Sequence, residues 1–252
     1  MKNNLNKEQI QNLKISGQIL HNTLEKAGKA VRAGVSTFEL NEIAEKEIEK
    51  MGALPAFKGY KITGIGEYPT GLCVSINEEI VHGIPLKDRF ISDKDIVSLD
   101  LGVNYKGMFT DAAITVGVGN INKEYKKLIA VTRECLLLGI KEAKVGNKIG
   151  AIGEAIETHA INNGFSVFYD LVGHGVGVAP HTWPQIPNFG QHYQGPEITE
   201  GMALAIEPML SNGGHQIITR PDKWTIATRD GAVSAHFEHT IVIENGKPVI
   251  VT

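Results

Sequence analysis

The chain has 252 residues, of which 42% are hydrophobic and 21% charged, with a formal net charge of −3. These are ordinary globular values for a chain long enough to bury a sizeable core, and they leave no basic footprint for nucleic acid. Cys73 and Cys135 make neither a disulfide framework nor a zinc-knuckle spacing, which suits a reducing compartment. The first residues, Met1 to Glu8, carry lysines with no apolar stretch after them, so no secretory leader is expected. No later stretch approaches the roughly 18–20 apolar residues of a membrane span, so a soluble, cytoplasmic protein is expected.

Residues from about Lys7 to Ala33 predict a helix, with Ile10, Leu13, Leu20, Leu24, Ala27 and Val31 near helical spacing and Gly34 beyond its end. Ser36, with Glu39 three residues on, predicts the capping box of a second helix that Gly52 ends. The period then changes. Leu72 to Asn77, Ile96 to Leu101 and Met108 to Val118 read as strands. At Asn122-Lys123-Glu124 the helical pattern restarts, echoing Asn6-Lys7-Glu8, and Gly146, Ile152 and Ala155 echo Gly34, Leu40 and Ile43. Each half therefore reads as helix, helix, strands, an internal duplication. Strands follow at Met202–Ile206, Thr225–Ala227, Ala235–Ile243 and Val249–Val251, with a hairpin turn at Glu244-Asn245-Gly246. No linker interrupts this pattern, so a single unit of mixed sheet with packed helices is expected.

Asn104 to Gly107 reads as a tight turn between two apolar strands, which sets Asp100 and Asp111 against each other on adjacent strands. Two carboxylates about 4 Å apart repel by roughly 4 kcal/mol at an effective dielectric near 20, so a compensating cation is expected. In Gly173-His174-Gly175-Val176-Gly177, glycines let ligands approach a neutral nitrogen donor, and His181 follows seven residues on. The segment lacks the helix and acidic partner of a dinucleotide loop. Glu207 and Glu238 lie in apolar strand surroundings, where a buried carboxylate needs a partner or a metal. Four carboxylates and one imidazole would balance two divalent cations, and a donor set without sulfur suits Mn, Fe, Co or Zn. Paired cations of this kind make water nucleophilic at neutral pH.

In this order, Asp100, Asp111, Gly173-His174-Gly175-Val176-Gly177, His181, Ile206-Glu207-Pro208 and Phe237-Glu238-His239-Thr240 resemble the methionine aminopeptidases. Cys73 to Glu78 and Val81-His82-Gly83-Ile84-Pro85 resemble that family's other signature, and the likeness covers essentially the whole chain. It implies an α+β pita-bread fold, a single catalytic domain over residues 1–252 whose pseudo-twofold halves, about 1–120 and 121–252, flank a curved antiparallel sheet with helices outside. It also implies that Asp100 chelates one of two metal ions and that Asp111 and Glu238 bridge both. His174 and Glu207 would complete the second ion's shell, and Glu207 would manage the proton of the attacking water. His181 would bind the scissile carbonyl or oxyanion, and His82 the scissile nitrogen. Phe57, Tyr60, Tyr68, Cys73 and Trp224 would receive the methionine side chain. The implied substrates are the N-termini of newly made polypeptides, at the ribosome among other settings. A monomer is expected, with no need of nucleic acid or membrane.

Three departures from that family's pattern bear on the side-chain pocket: Pro180 before His181, Thr182-Trp183 after it, and a longer loop from Lys61 to Glu67. The short stretch between His181 and Glu207 resembles the bacterial type I subclass. The competing readings are a peptidase cleaving before proline on the same scaffold and an inactive peptide-binding relative. Proline-directed relatives carry a long N-terminal domain, whereas Asp100 is already the first expected ligand here. Inactive relatives lose ligands, and all five are present.

Overall fold

The structure is a computed structural model that describes residues 4–252; Met1, Lys2 and Asn3, part of the N-terminal stretch read above, lie outside the described residues. Two helices, α1 (Lys7–Ala30) and α2 (Thr37–Lys50), precede the first strands, and α3 (Lys123–Glu142) and α4 (Ile149–Asn162) precede the rest. The echoed asparagines have one structural meaning. Asn6 caps α1 by accepting from Gln9 N, and Asn122 caps α3 by accepting from Tyr125 N. The echoed Gly34 and Gly146 both adopt positive φ, +85° and +91°, which favours glycine. The capping box of Ser36 and Glu39 forms as expected. Helix α1 ends at Ala30, three residues before the expected Ala33, because Val31 turns extended and the chain runs on until Gly34 N donates to Ile91 O.

Nine strands form the central sheet: β1 (Leu54–Pro55), β2 (Leu72–Ile76), β3 (Ile96–Tyr105), β4 (Met108–Gly117), β5 (Val172–Gly175), β6 (Thr182–Pro187), β7 (Ala203–Ile206), β8 (Glu238–Glu244) and β9 (Lys247–Ile250). Their spatial order is β1-β3-β4-β8-β7-β5-β6, with β2 beside β3 and β9 beside β8. Every pairing among the described strands is antiparallel, which corrects the mixed sheet expected from the strand pattern. The helices follow one another directly in each half, so no helix serves as the crossover that parallel neighbours need.

Each helix pair covers its own apolar core. Leu20, Leu40 and Ile48 pack with Leu72, Leu99 and Leu101 under α1 and α2. Leu128, Ile152 and Ile156 pack with Leu204, Ile206 and Ile241 under α3 and α4. At Gly17, α1 meets the far end of the chain so closely that a Cβ there would lie 2.0 Å from Val251 O.

Two strand expectations are corrected. The β3–β4 turn uses Lys106 and Gly107 at φ +50° and +78°, the two-residue geometry that fits strand twist. Its centre therefore lies one residue beyond the expected one and shifts the register by two. Asp111 pairs with Gly102 and Asp100 with Ala113, so the aspartates are diagonal neighbours on one face and do not face each other directly. A shift of two residues keeps both on the same side of the pleat. The expected strand Ala235–Ile243 is interrupted at Phe237. Ser234–His236 pairs with Met209–Ser211 in a separate three-stranded sheet, and only Glu238–Glu244 joins the central one. The chain from Ala203 to Ser211 makes the same change of sheet at Glu207-Pro208. Phe237 N donates to Pro208 O across this double corner, while Pro208 has no N–H to continue a ladder.

Candidate metal centre

Strand register assembles the acidic cluster. Cys73, Asp100, Ala113 and Glu238 form one row across β2, β3, β4 and β8. Directly paired residues share a face, so Ala113 alone separates the carboxylates of Asp100 and Glu238. A second row runs from Gly102 through Asp111 to β8 and on through Thr240 and Ala205 to His174. Thr240 Oγ1 accepts from Asp111 N and donates to Asp111 O, both at 2.8 Å, which fixes β4 against β8. Small residues between the acids keep the space above the sheet clear. Ligand atoms of Asp100, Asp111 and Glu238 lie within 4.8 Å of one another, as do those of His174, Glu207 and Glu238. All five residues expected as ligands therefore converge.

Asp100, Asp111 and Glu238 are buried, and no lysine or arginine pairs with them or with Glu207 among the described residues. Burial pushes the Asp100 carboxyl up to about 7, opposed in part by a hydrogen bond from Asp111. Burial, then the charges of neighbouring carboxylates, pushes Asp111, Glu207 and Glu238 further above the ordinary range. Desolvation lowers His174 to about 3, so its ring is neutral at pH 7. Its Nδ1–H donates to Gly175 O at 3.0 Å, which leaves the Nε2 lone pair aimed at Glu207 Oε1, 3.4 Å away, and Asp111 Oδ2, 3.9 Å away. A lone pair facing carboxylate oxygens is repulsive unless a proton or a metal cation lies among them. Asp100 Oδ1, Asp111 Oδ1 and Glu238 Oε1 are buried without any hydrogen-bond partner. The donor set and its orphaned oxygens fit divalent metal ions.

His181 stands at the exposed mouth, its ring 4.3 Å from that of His174 and its Nδ1 3.2 Å from the Tyr60 hydroxyl. It also falls within ligand reach of Asp111 and His174. Its exposure and its Tyr60 partner favour a place on the rim over a place in the cluster. His82 adopts φ +60°, strained for a residue with a Cβ, between Val81 and a Gly83 whose Cβ would lie 2.2 Å from Val74 O. Desolvation, then the neighbouring His181, lowers the His82 ring to about 4.

A cavity of about 300 Å³ opens onto the carboxylates. Tyr68, Cys73 and Trp224 form its buried apolar cluster, with Phe57, Tyr60 and Ile84 packed against it. Tyr68 meets Trp224 edge-on at 5.2 Å and donates to Gly83 O at 3.0 Å. Phe57 lies over Gly102, where a Cβ would come within 2.7 Å of its ring. The longer loop is a short hairpin, Lys61–Ile62 against Gly66–Glu67, and its Ile62 lines the cavity. Pro180, Thr182 and Trp183 are not among the lining residues.

One residue of the centre was missed in the sequence. His236, 1% exposed, directs Nε2 between Glu207 Oε2 at 3.7 Å and Glu238 Oε2 at 3.9 Å. Two residues before Glu238, it reads as part of an unbroken strand, in which alternation already sets it on the face of Glu238, a signal that could have found it.

Residues 11–245 match the model of metallopeptidase family M24. A methionine aminopeptidase of Bacillus subtilis is 46% identical over 228 residues, covering 90% of each chain. The crystal structure of a methionine aminopeptidase from Thermotoga maritima superposes with a TM-score of 0.96 at 39% identity, covering 100% of this chain and 99% of that one. A prolidase from Pyrococcus furiosus shares the fold at a TM-score of 0.79 and 21% identity, with 99% of this chain matching 65% of that one. The pita-bread architecture expected from the sequence is thus the observed one.

Proposed function

The chain belongs to metallopeptidase family M24, and from that premise we propose that it is a methionine aminopeptidase whose catalytic work is done by the residues converging on the central sheet. It hydrolyses the peptide bond after an N-terminal methionine, in a metal-dependent reaction. The observation that carries the residue assignment is the His174 Nε2 lone pair aimed at Glu207 Oε1 and Asp111 Oδ2, beside the unpaired buried oxygens of Asp100, Asp111 and Glu238.

In this reading Asp100 would hold one of two divalent ions, His174 and Glu207 the other, and Asp111 and Glu238 would serve both. The ions are drawn from Mn, Fe, Co and Zn, and when bound they supply Lewis acidity and lower the pKa of water to near neutrality. Glu207 takes the proton of the attacking water and returns it to the leaving nitrogen. The Tyr60 hydroxyl lies 3.2 Å from His181 Nδ1; with the hydroxyl as donor, the opposite nitrogen carries the proton and stabilises the developing oxyanion. His82 orients the scissile nitrogen. The methionine side chain fills the cavity of Tyr68, Cys73 and Trp224, whose aromatic walls suit a polarizable thioether. The whole chain acts as one catalytic domain, a cytoplasmic monomer working on the N-termini of new polypeptides, including those still at the ribosome.

The test uses metal-replete protein with Met-Ala-Ser and an X-Pro peptide, and Asp111→Ala as control. Release of methionine from the first peptide alone, abolished in the control, is the expected result. Cleavage of the proline peptide alone would overturn the substrate assignment, and no turnover of either would leave only a binding role.

A further inference from the structure

We propose that His236 is a positioning residue, which donates its Nε2–H to Glu207 Oε2 and so aims the other oxygen of that carboxylate at the metal site. The inference rests on the metal-centre reading above.

Glu207 needs such a partner because no ladder fixes it. It lies between β7, which ends at Ile206, and the strand Met209–Ser211, at the corner where the chain changes sheets. Its backbone is held by Asn188, whose Nδ2 donates to Glu207 O at 3.0 Å. Its two carboxylate oxygens face different histidines: Oε1 lies 3.4 Å from His174 Nε2, and Oε2 lies 3.7 Å from His236 Nε2. His174 is the neutral ligand-type ring described above. His236 is the only group on the opposite side that can donate to Oε2 among the contacts recorded for this carboxylate.

Nε2 of His236 lies nearer Glu207 Oε2, at 3.7 Å, than Glu238 Oε2, at 3.9 Å. Neither ring nitrogen has a hydrogen-bond partner, although the residue is buried. Such a ring costs stability unless its nitrogen gains a partner. Its backbone is anchored where the metal-binding hairpin is anchored. Thr115 Oγ1 donates to His236 O at 2.6 Å, accepts from His236 N at 2.8 Å, and lies 2.8 Å from Ser98 Oγ on β3. The ring thus sits on a rigid support, and a closure of under 1 Å by the less constrained Glu207 brings Oε2 into bonding range. Outer partners of metal ligands commonly change affinity or activity by about 10–100-fold.

The experiment compares wild type, His236→Leu, His236→Gln and Asp111→Ala by calorimetric titration with Co(II), the d–d absorption of the Co(II) protein, and kcat and KM on Met-Ala-Ser. Expected for His236→Leu are Co(II) binding weaker by about tenfold or more, an altered spectrum and a lower kcat with little change in KM. The metal-free protein should melt no lower than wild type. His236→Gln, which keeps an N–H donor, should restore binding and spectrum to within about threefold. Wild-type affinity and spectrum in His236→Leu would overturn the inference, as would His236→Gln behaving like His236→Leu. Should His236→Leu fail to fold, His236→Gln still decides: a shifted spectrum and weakened binding overturn the proposal, while wild-type values support it. Wild-type protein that binds no Co(II), or binds it as Asp111→Ala does, would instead sink the underlying metal-centre reading.

Discussion

The floor of the site and its side wall are built differently. The floor is sheet: Asp100, Asp111, Glu238 and His174 stand on four strands in two registered rows, spaced by Ala113 and Ala205. The wall is mostly connection. Phe57, Tyr60 and Trp224 belong to no strand of the central sheet, and the hairpin beyond Tyr60 is largely exposed. Ladder hydrogen bonds hold the first set, while apolar packing between loops holds the second. Chemistry and selectivity should therefore respond to different substitutions, since a loop can be lengthened without disturbing register.

The largest separation should come from Asp100→Asn. Removing one of four clustered carboxylates should lower kcat/KM on a methionyl peptide by about a thousandfold or more, equivalent to ~4 kcal/mol. The melting temperature of the metal-free protein should hold or rise, because a buried like charge has been removed. A large loss of metal-free stability would show that the floor is held together by these acids and not by its ladder. Trp224→Ala should do the opposite. Calorimetry should find Co(II) affinity unchanged, while preference for methionine over smaller N-terminal residues falls by about 10–100-fold in kcat/KM, the scale of lost pocket contacts. A comparable fall in metal affinity would erase the distinction between wall and floor.

The smallest effect is the pH dependence of metal-free stability. The carboxyls have raised folded pKa values, so their contribution is full below about pH 4 and is lost as pH rises through about 7 for Asp100. His174 and His236, lowered to about 3, act the other way: their contribution is full above about 6.5 and is lost as pH falls toward 3. Between pH 6.5 and 8 only the carboxyls act. Calorimetric melting of the metal-free protein should therefore fall by a few degrees over that interval, about 2–4 °C per kcal/mol for a chain of this size. Saturating divalent metal should abolish the slope. A melting temperature that rises with pH in metal-free protein would contradict the unpaired acids.

Much of the floor was legible in the sequence because local chemistry specified it. Ser36 caps its helix where the spacing of Glu39 implies, and Asn245-Gly246 makes the last hairpin. Asp100 and Asp111 fall on one face even though the turn centre was misjudged by one residue, since the resulting slip of two preserves the pleat. The corner at Phe237 was not legible. Its cause is the pairing of Ser234–His236 with a strand some 25 residues earlier, and no local pattern announces it. His236 was within reach of the sequence, because strand alternation sets it on the face of Glu238. The wall residues followed from resemblance alone, since nothing in Phe57 or Trp224 distinguishes a cavity lining from ordinary core.

The bonds between Asp111 and Thr240 join residues separated by 129 positions. Contacts of that span carry a large loop-closure entropy and form late, after local helices and hairpins. A folding intermediate with both halves collapsed but undocked would hold Asp100 and Asp111 on one hairpin, apart from His174, Glu207 and Glu238. It would offer a cation two adjacent acids and none of the rest. Tight metal uptake would then report the final docking step, and premature, misdirected ligation by half a site would be weak enough to reverse.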